Sequence, residues 1–121
     1  MNEFSGSGAE RRRSVRINET LPFVIGHEGF EVEAVTVNLS TLGAMCRVTR
    51  EIPMMTQLAV ALSLPGDNGH RPKKVRMKAV VVRKDKDPLT NTFLLAIYFS
   101  DIKPEDRDTL EEFIKHRAGR T

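Results

Sequence analysis

Shortages remove several functions from consideration at the outset. The chain has one cysteine, no tryptophan, one tyrosine and three histidines in 121 residues. A lone Cys46 can form no internal disulfide, so a reducing cytoplasm is the expected compartment. Cys46 sits in an apolar strand pattern and reads as packing, not as a nucleophile. His27, His70 and His116 are far apart, and none stands at metal-ligand spacing. No nucleophile elbow, Walker loop or dinucleotide fingerprint appears, so the chain is expected not to be an enzyme and to need no metal or cofactor. No apolar run approaches the roughly 20 residues of a bilayer span. The opening Met1-Asn2-Glu3-Phe4 lacks the basic-then-apolar layout of a secretion signal.

Charge of one sign is also in short supply: 19 Lys and Arg against 16 Asp and Glu leave +3. That total is too small for wholesale wrapping of nucleic acid. Its distribution is more informative. Arg11, Arg12, Arg13 and Arg16 crowd together near the start, whereas Asp101 to Glu112 is mainly acidic.

What is present is strand-like. After a small polar leader (1–9), pieces of alternating apolar character recur, each closed by turn chemistry. Leu21 to Ile25 precedes Gly26, and Glu28-Gly29 turns the chain into Phe30–Val37. Gly43–Val48 follows, and then Leu58, Val60, Leu62 and Leu64 alternate with smaller residues. Pro65 to Gly69 is a strong turn. Val75, Met77, Ala79 and Val81 alternate with charged residues, Lys84 to Asn91 reads as a loop, and Phe93, Leu95, Ile97 and Phe99 alternate again. The period then changes to helical, with Leu110, Phe113 and Ile114 on one stripe, Pro104 in the first turn and Gly119 as a stop. Six short strands and one late helix, without βαβ alternation, predict a mainly β fold: a small antiparallel barrel whose helix covers an opening or edge.

Two features carry chemistry. Arg11-Arg12-Arg13-Ser14-Val15-Arg16 precedes the first strand, and guanidinium forks suit phosphates and guanine edges. Its plain alternative is a solubilising or nucleic-acid-attracting tail. Asn38-Leu39-Ser40-Thr41-Leu42-Gly43 follows a strand. On extended backbone, residues two apart point the same way, which sets an amide beside a hydroxyl, and Gly43 permits a tight turn and close approach by a ligand. Its plain alternative is an Asx or Ser turn between strands.

Together, Arg-x-x-x-Arg (Arg12, Arg16) and [DN]-x-S-x-x-G (Asn38, Ser40, Gly43) resemble the PilZ family, six-stranded antiparallel barrels that act as receptors for bacterial cyclic di-GMP. The resemblance spans nearly the whole chain and divides it into a flexible leader (1–9), a PilZ domain (10–118) and a short tail (119–121). It implies that Arg12 and Arg16 hold guanine edges and phosphates, that Asn38 and Ser40 meet the opposite guanine, and that Gly43 leaves room for it. Arg11, preceding the motif, favours an intercalated ligand pair over a single ligand, and Arg13 either assists or faces solvent. Asn38 stands where many members carry Asp. An amide accepts a guanine N–H less strongly than a carboxylate, which lowers the expected affinity without changing the ligand.

The resemblance further implies an adaptor for motility, chemotaxis or exopolysaccharide control, acting through a downstream protein partner, with no membrane insertion and no DNA partner. The expected mechanism is a disorder-to-order switch: four like-charged arginines leave the arm mobile until an anionic ligand neutralises them. Two rivals are a basic-armed barrel that binds nucleic acid nonspecifically, and a barrel of the same shape that binds only protein. The first wants aromatic stacking platforms, and aromatics are 6% of the chain.

Overall fold

A computed structural model describes residues 15–66 and 71–119, which form one closed antiparallel barrel followed by a helix. The strands are β1 (Pro22–His27), β2 (Phe30–Leu39), β3 (Gly43–Val48), β4 (Gln57–Leu64), β5 (Lys73–Asp87) and β6 (Thr92–Ile102). They are ordered β1-β2-β3-β6-β5-β4, and pairing of β1 with β4 closes the ring.

Alternation in the sequence becomes the inside and outside of this ring. Leu58, Val60, Leu62 and Leu64 of β4 and Val75, Met77, Ala79 and Val81 of β5 are all buried. Leu95, Ile97 and Phe99 of β6 are buried too, and Phe93 packs partly exposed against them. Glu28 and Gly29 take positive φ of 50° and 81°, the geometry of a two-residue hairpin whose twist matches its strands.

The first half of the expected loop from Lys84 to Asn91 is instead strand. β5 continues to Asp87, and Arg83 to Asp87 pair with Ala96 to Thr92 of β6. A strand with wet faces needs no apolar alternation, so the charged run concealed it. The true turn begins at Pro88 and closes through Asn91 at φ 56°. The Asp87 carboxylate anchors it by accepting the Leu89 N–H at 3.0 Å and Arg47 at 3.1 Å.

The helix, α1 (Pro104–Ala118), has Pro at its first turn, Glu105 and Asp106 near its N-terminus and Lys115, His116 and Arg117 near its C-terminus, as its dipole favours. It packs on β5 and buries Leu110 and Ile114 in the barrel's core cluster, with Phe113 beside them. Gly119 caps it in a right-handed conformation, so the stop does not use glycine's left-handed freedom.

Cys46 is fully buried in β3, and desolvation pushes its thiol up to about 12. It is packing, as expected. Among the described residues no cluster of His, Cys, Asp or Glu is arranged to hold a metal ion, and no helix is long and apolar enough to cross a membrane.

Candidate functional site

The segment leading into β1 is tied to the barrel at three points. The Ile17 N–H donates to Leu39 O at 2.9 Å, and the Leu39 N–H donates to Ile17 O at 3.0 Å. Buried Thr36 accepts the Leu21 N–H at 2.8 Å and donates its hydroxyl to Glu19 O at 2.6 Å. The Glu19 carboxylate in turn accepts from the Arg117 guanidinium at 3.0 Å, linking this root to the end of α1. Ile17 points inward, so alternation turns Arg16 outward, beside the β2–β3 turn.

That turn is built by Ser40. Its Oγ accepts the Leu42 and Gly43 N–H groups at 3.2 and 3.3 Å, and its backbone N–H donates to Gly43 O at 2.9 Å. The hydroxyl also donates toward Gly43 O at 3.3 Å. Ser40 is buried and its hydroxyl is engaged by the turn, the plainer of the two sequence readings.

Asn38 reaches the surface through an irregularity that alternation does not foresee. Val32, Ala34 and Thr36 face inward, so an unbroken strand would send Asn38 inward as well. The β2–β3 register shifts between Thr36 and Asn38. This bulge sends Leu39 into the core and leaves Asn38 partly exposed on the outer face.

Gly43 has a reason the sequence did not disclose. A Cβ there would lie 2.2 Å from the Ile97 carbonyl oxygen, inside any permitted contact. The glycine is required by close approach of β3 to β6, whatever space it also leaves for a ligand.

These residues meet in one cleft of about 200 Å³ on the outer barrel wall, lined by Arg16, Asn38, Ser40 and Gly43 together with Val82 and Tyr98. Among the described residues, the Arg16 guanidinium and the Asn38 amide have no hydrogen-bond or ion-pair partner. A cation and an amide without a polar partner among the described residues, beside the Gly43 backbone, suit a ligand carrying an anionic group and a polar edge. A wider concavity of about 770 Å³ elsewhere on β1–β3 sets Glu31 and Glu33 among Arg47 and Arg50, a mixed field that suits an anion poorly.

Arg11, Arg12 and Arg13, and the leader (1–9), lie outside the described residues, as does His70. Tyr98 and Val82 were missed by sequence reasoning. Tyr98 follows inward Ile97, so the β6 alternation alone marks it as outward-facing. Val82 is displaced by a register shift between Val81 and Arg83, for which no sequence signal exists.

The chain matches the family model described as PilZ domain over residues 10–116. No curated protein matches its sequence. Among solved structures it is similar to the inhibitor of motility MotI/DgrA of Bacillus subtilis, with a TM-score of 0.80 and 22% identity, covering 92% of this chain. It spans 53% of that protein, about half its length. It is also similar to the PilZ domain with c-di-GMP of YcgR from Escherichia coli, with a TM-score of 0.63 and 19% identity over 91% of this chain and 95% of the other. At these identities the two likenesses speak to fold, and the fold is the one seen here. With the family model covering nearly its whole length, the chain belongs to the PilZ domain family.

Proposed function

We propose that this chain is a receptor for cyclic di-GMP that closes an arginine arm over the cleft and signals through a protein partner in the bacterial cytoplasm. The observation that carries this reading is the convergence of Arg16 and Asn38, both without a polar partner among the described residues, on one cleft beside the Ser40–Gly43 turn. The YcgR domain, which shares this fold, was solved with the same dinucleotide.

The cleft is smaller than the roughly 300–1,000 Å³ typical of small-molecule sites, so it holds one part of a dinucleotide and leaves the rest to other groups. Arg11, Arg12 and Arg13 stand immediately before the pinned root and supply the missing cations. Arg16 and Arg12 take phosphate oxygens and guanine N7 and O6, and the Asn38 amide pairs with a guanine edge. Ser40 acts by holding the turn in shape. Arg11 favours a stacked ligand pair, whose four phosphate charges the arm neutralises. Micromolar binding requires about 8 kcal/mol, within reach of several charge-assisted contacts after the arm is ordered.

Calorimetric titration with cyclic di-GMP, with GTP and a DNA oligomer as competitors, tests this reading. Saturable binding that neither competitor displaces is expected. Weak binding to all three, falling steeply with salt, would instead mark a nonspecific polyanion binder. No binding to any would mark a barrel that engages only protein.

A further inference from the structure

Tyr98 has no role in the motif that defines the site, yet it stands inside it. We infer that Tyr98 is a stacking platform for a purine base of the ligand, an inference that rests on the dinucleotide reading above.

Its surroundings leave the ring open. Tyr98 is 51% exposed on the outer face of β6, and its hydroxyl makes no hydrogen bond among the described residues. An outward aromatic on a sheet normally packs on its cross-strand neighbour. Directly across from Tyr98 in β3 is Gly43, which has no side chain to cover it. Any side chain at position 43 is excluded by the Ile97 carbonyl, so this absence is built into the barrel. The next pair on the same outer face is Met45 with the small Ala96, and on the β5 side Tyr98 faces Val80. The cleft beside the ring is therefore floored by Gly43 and Ala96 and bordered by Met45, by exposed Val82 and Leu42, and by Arg16 and Asn38.

A cleft that joins an open phenol ring and apolar side chains to a guanidinium and an amide has the chemistry of a nucleobase site. The ring offers a π-face for stacking, and the polar groups read an edge or hold a phosphate. The other aromatics described serve elsewhere. Phe23 and Phe99 are buried, Phe93 and Phe113 pack against the core, and Phe30 lies under the Arg50 guanidinium at 4.7 Å.

Tyr98 is the only tyrosine in the chain, so its ring protons give a single set of signals to follow by NMR. On titration with cyclic di-GMP they should move upfield as a base stacks on the ring. Tyr98→Leu and Tyr98→Ala should weaken binding about tenfold or more, while Tyr98→Phe stays within about threefold of the parent. The leucine variant keeps apolar bulk and discards only the flat face, and a thermal melt checks that each variant is folded. Wild-type affinity in folded Tyr98→Leu, or an unmoved ring signal at saturation, overturns the stacking role and leaves the receptor reading intact. Failure of the unaltered chain to bind cyclic di-GMP overturns both.

Discussion

Ile17 and Leu39 exchange both backbone hydrogen bonds, at 2.9 and 3.0 Å, across an isolated antiparallel bridge. The pairing carries Arg16 to the β2–β3 turn and brings it onto the same cleft as Ser40. The root that carries Arg16 is thus part of the barrel.

Arg16→Ala should lower cyclic di-GMP affinity by about 2–5 kcal/mol, because a charge-assisted contact is removed from a partly desolvated site. Urea unfolding should barely change, since Arg16 has no partner among the described residues to lose. Unchanged calorimetric affinity would remove Arg16 from the site.

Gly43→Ala should destabilise the fold by about 2–3 kcal/mol or more, because backbone cannot rotate away from a new methyl as a side chain can. The clash is with the Ile97 carbonyl, so the loss should appear in chemical denaturation without any ligand. A stable Gly43→Ala that lost only binding would assign the glycine to the ligand alone.

Thr36→Val keeps the shape of a buried side chain and removes its hydroxyl. The Leu21 N–H would lose its acceptor and Glu19 O its donor, at a cost of about 1–3 kcal/mol. Hydrogen exchange should quicken first at Leu21, within the root segment. Uniform loss of protection across the barrel would contradict this local role.

The Leu89 N–H, helped by Arg47 and Thr90, holds the Asp87 carboxyl below its ordinary value of 3.8 against a partial desolvation cost. A hydrogen bond from Lys84 likewise lowers Glu51. Both groups bind protons less readily folded than unfolded, so their stabilisation is fully present above the ordinary carboxylate range. It is lost as pH falls from about 4 through the lower folded values. Asp87→Asn should flatten the acid limb of a stability–pH profile, and an unaltered limb would count against the assignment.

The buried Cys46 thiol, pushed up to about 12, should resist a disulfide reagent at pH 8 until the barrel unfolds. Labelling at the rate of a free thiol in native protein would show that β3 opens locally.

Much of this could be read from one dimension. Leu58 to Leu64 and Phe93 to Phe99 announced their inner faces because a period of two is a property of any half-buried strand. The Glu28-Gly29 turn and the Pro104 helix start rest on equally local preferences. The extension of β5 to Asp87 was hidden, since none of its residues from Arg83 on is buried and the stretch has no dry face to report.

Local chemistry determined that this chain would be a β-barrel with a closing helix, and it supplied the arginines, amide and hydroxyl in their order. Tertiary structure decided which way they face and what they touch. The bulge before Asn38 reverses the parity of β2, the nearness of Ile97 accounts for Gly43, and β6 brings Tyr98 beside both. Those outcomes depend on strands distant in sequence closing one ring, and spacing along a chain holds no record of distance across it.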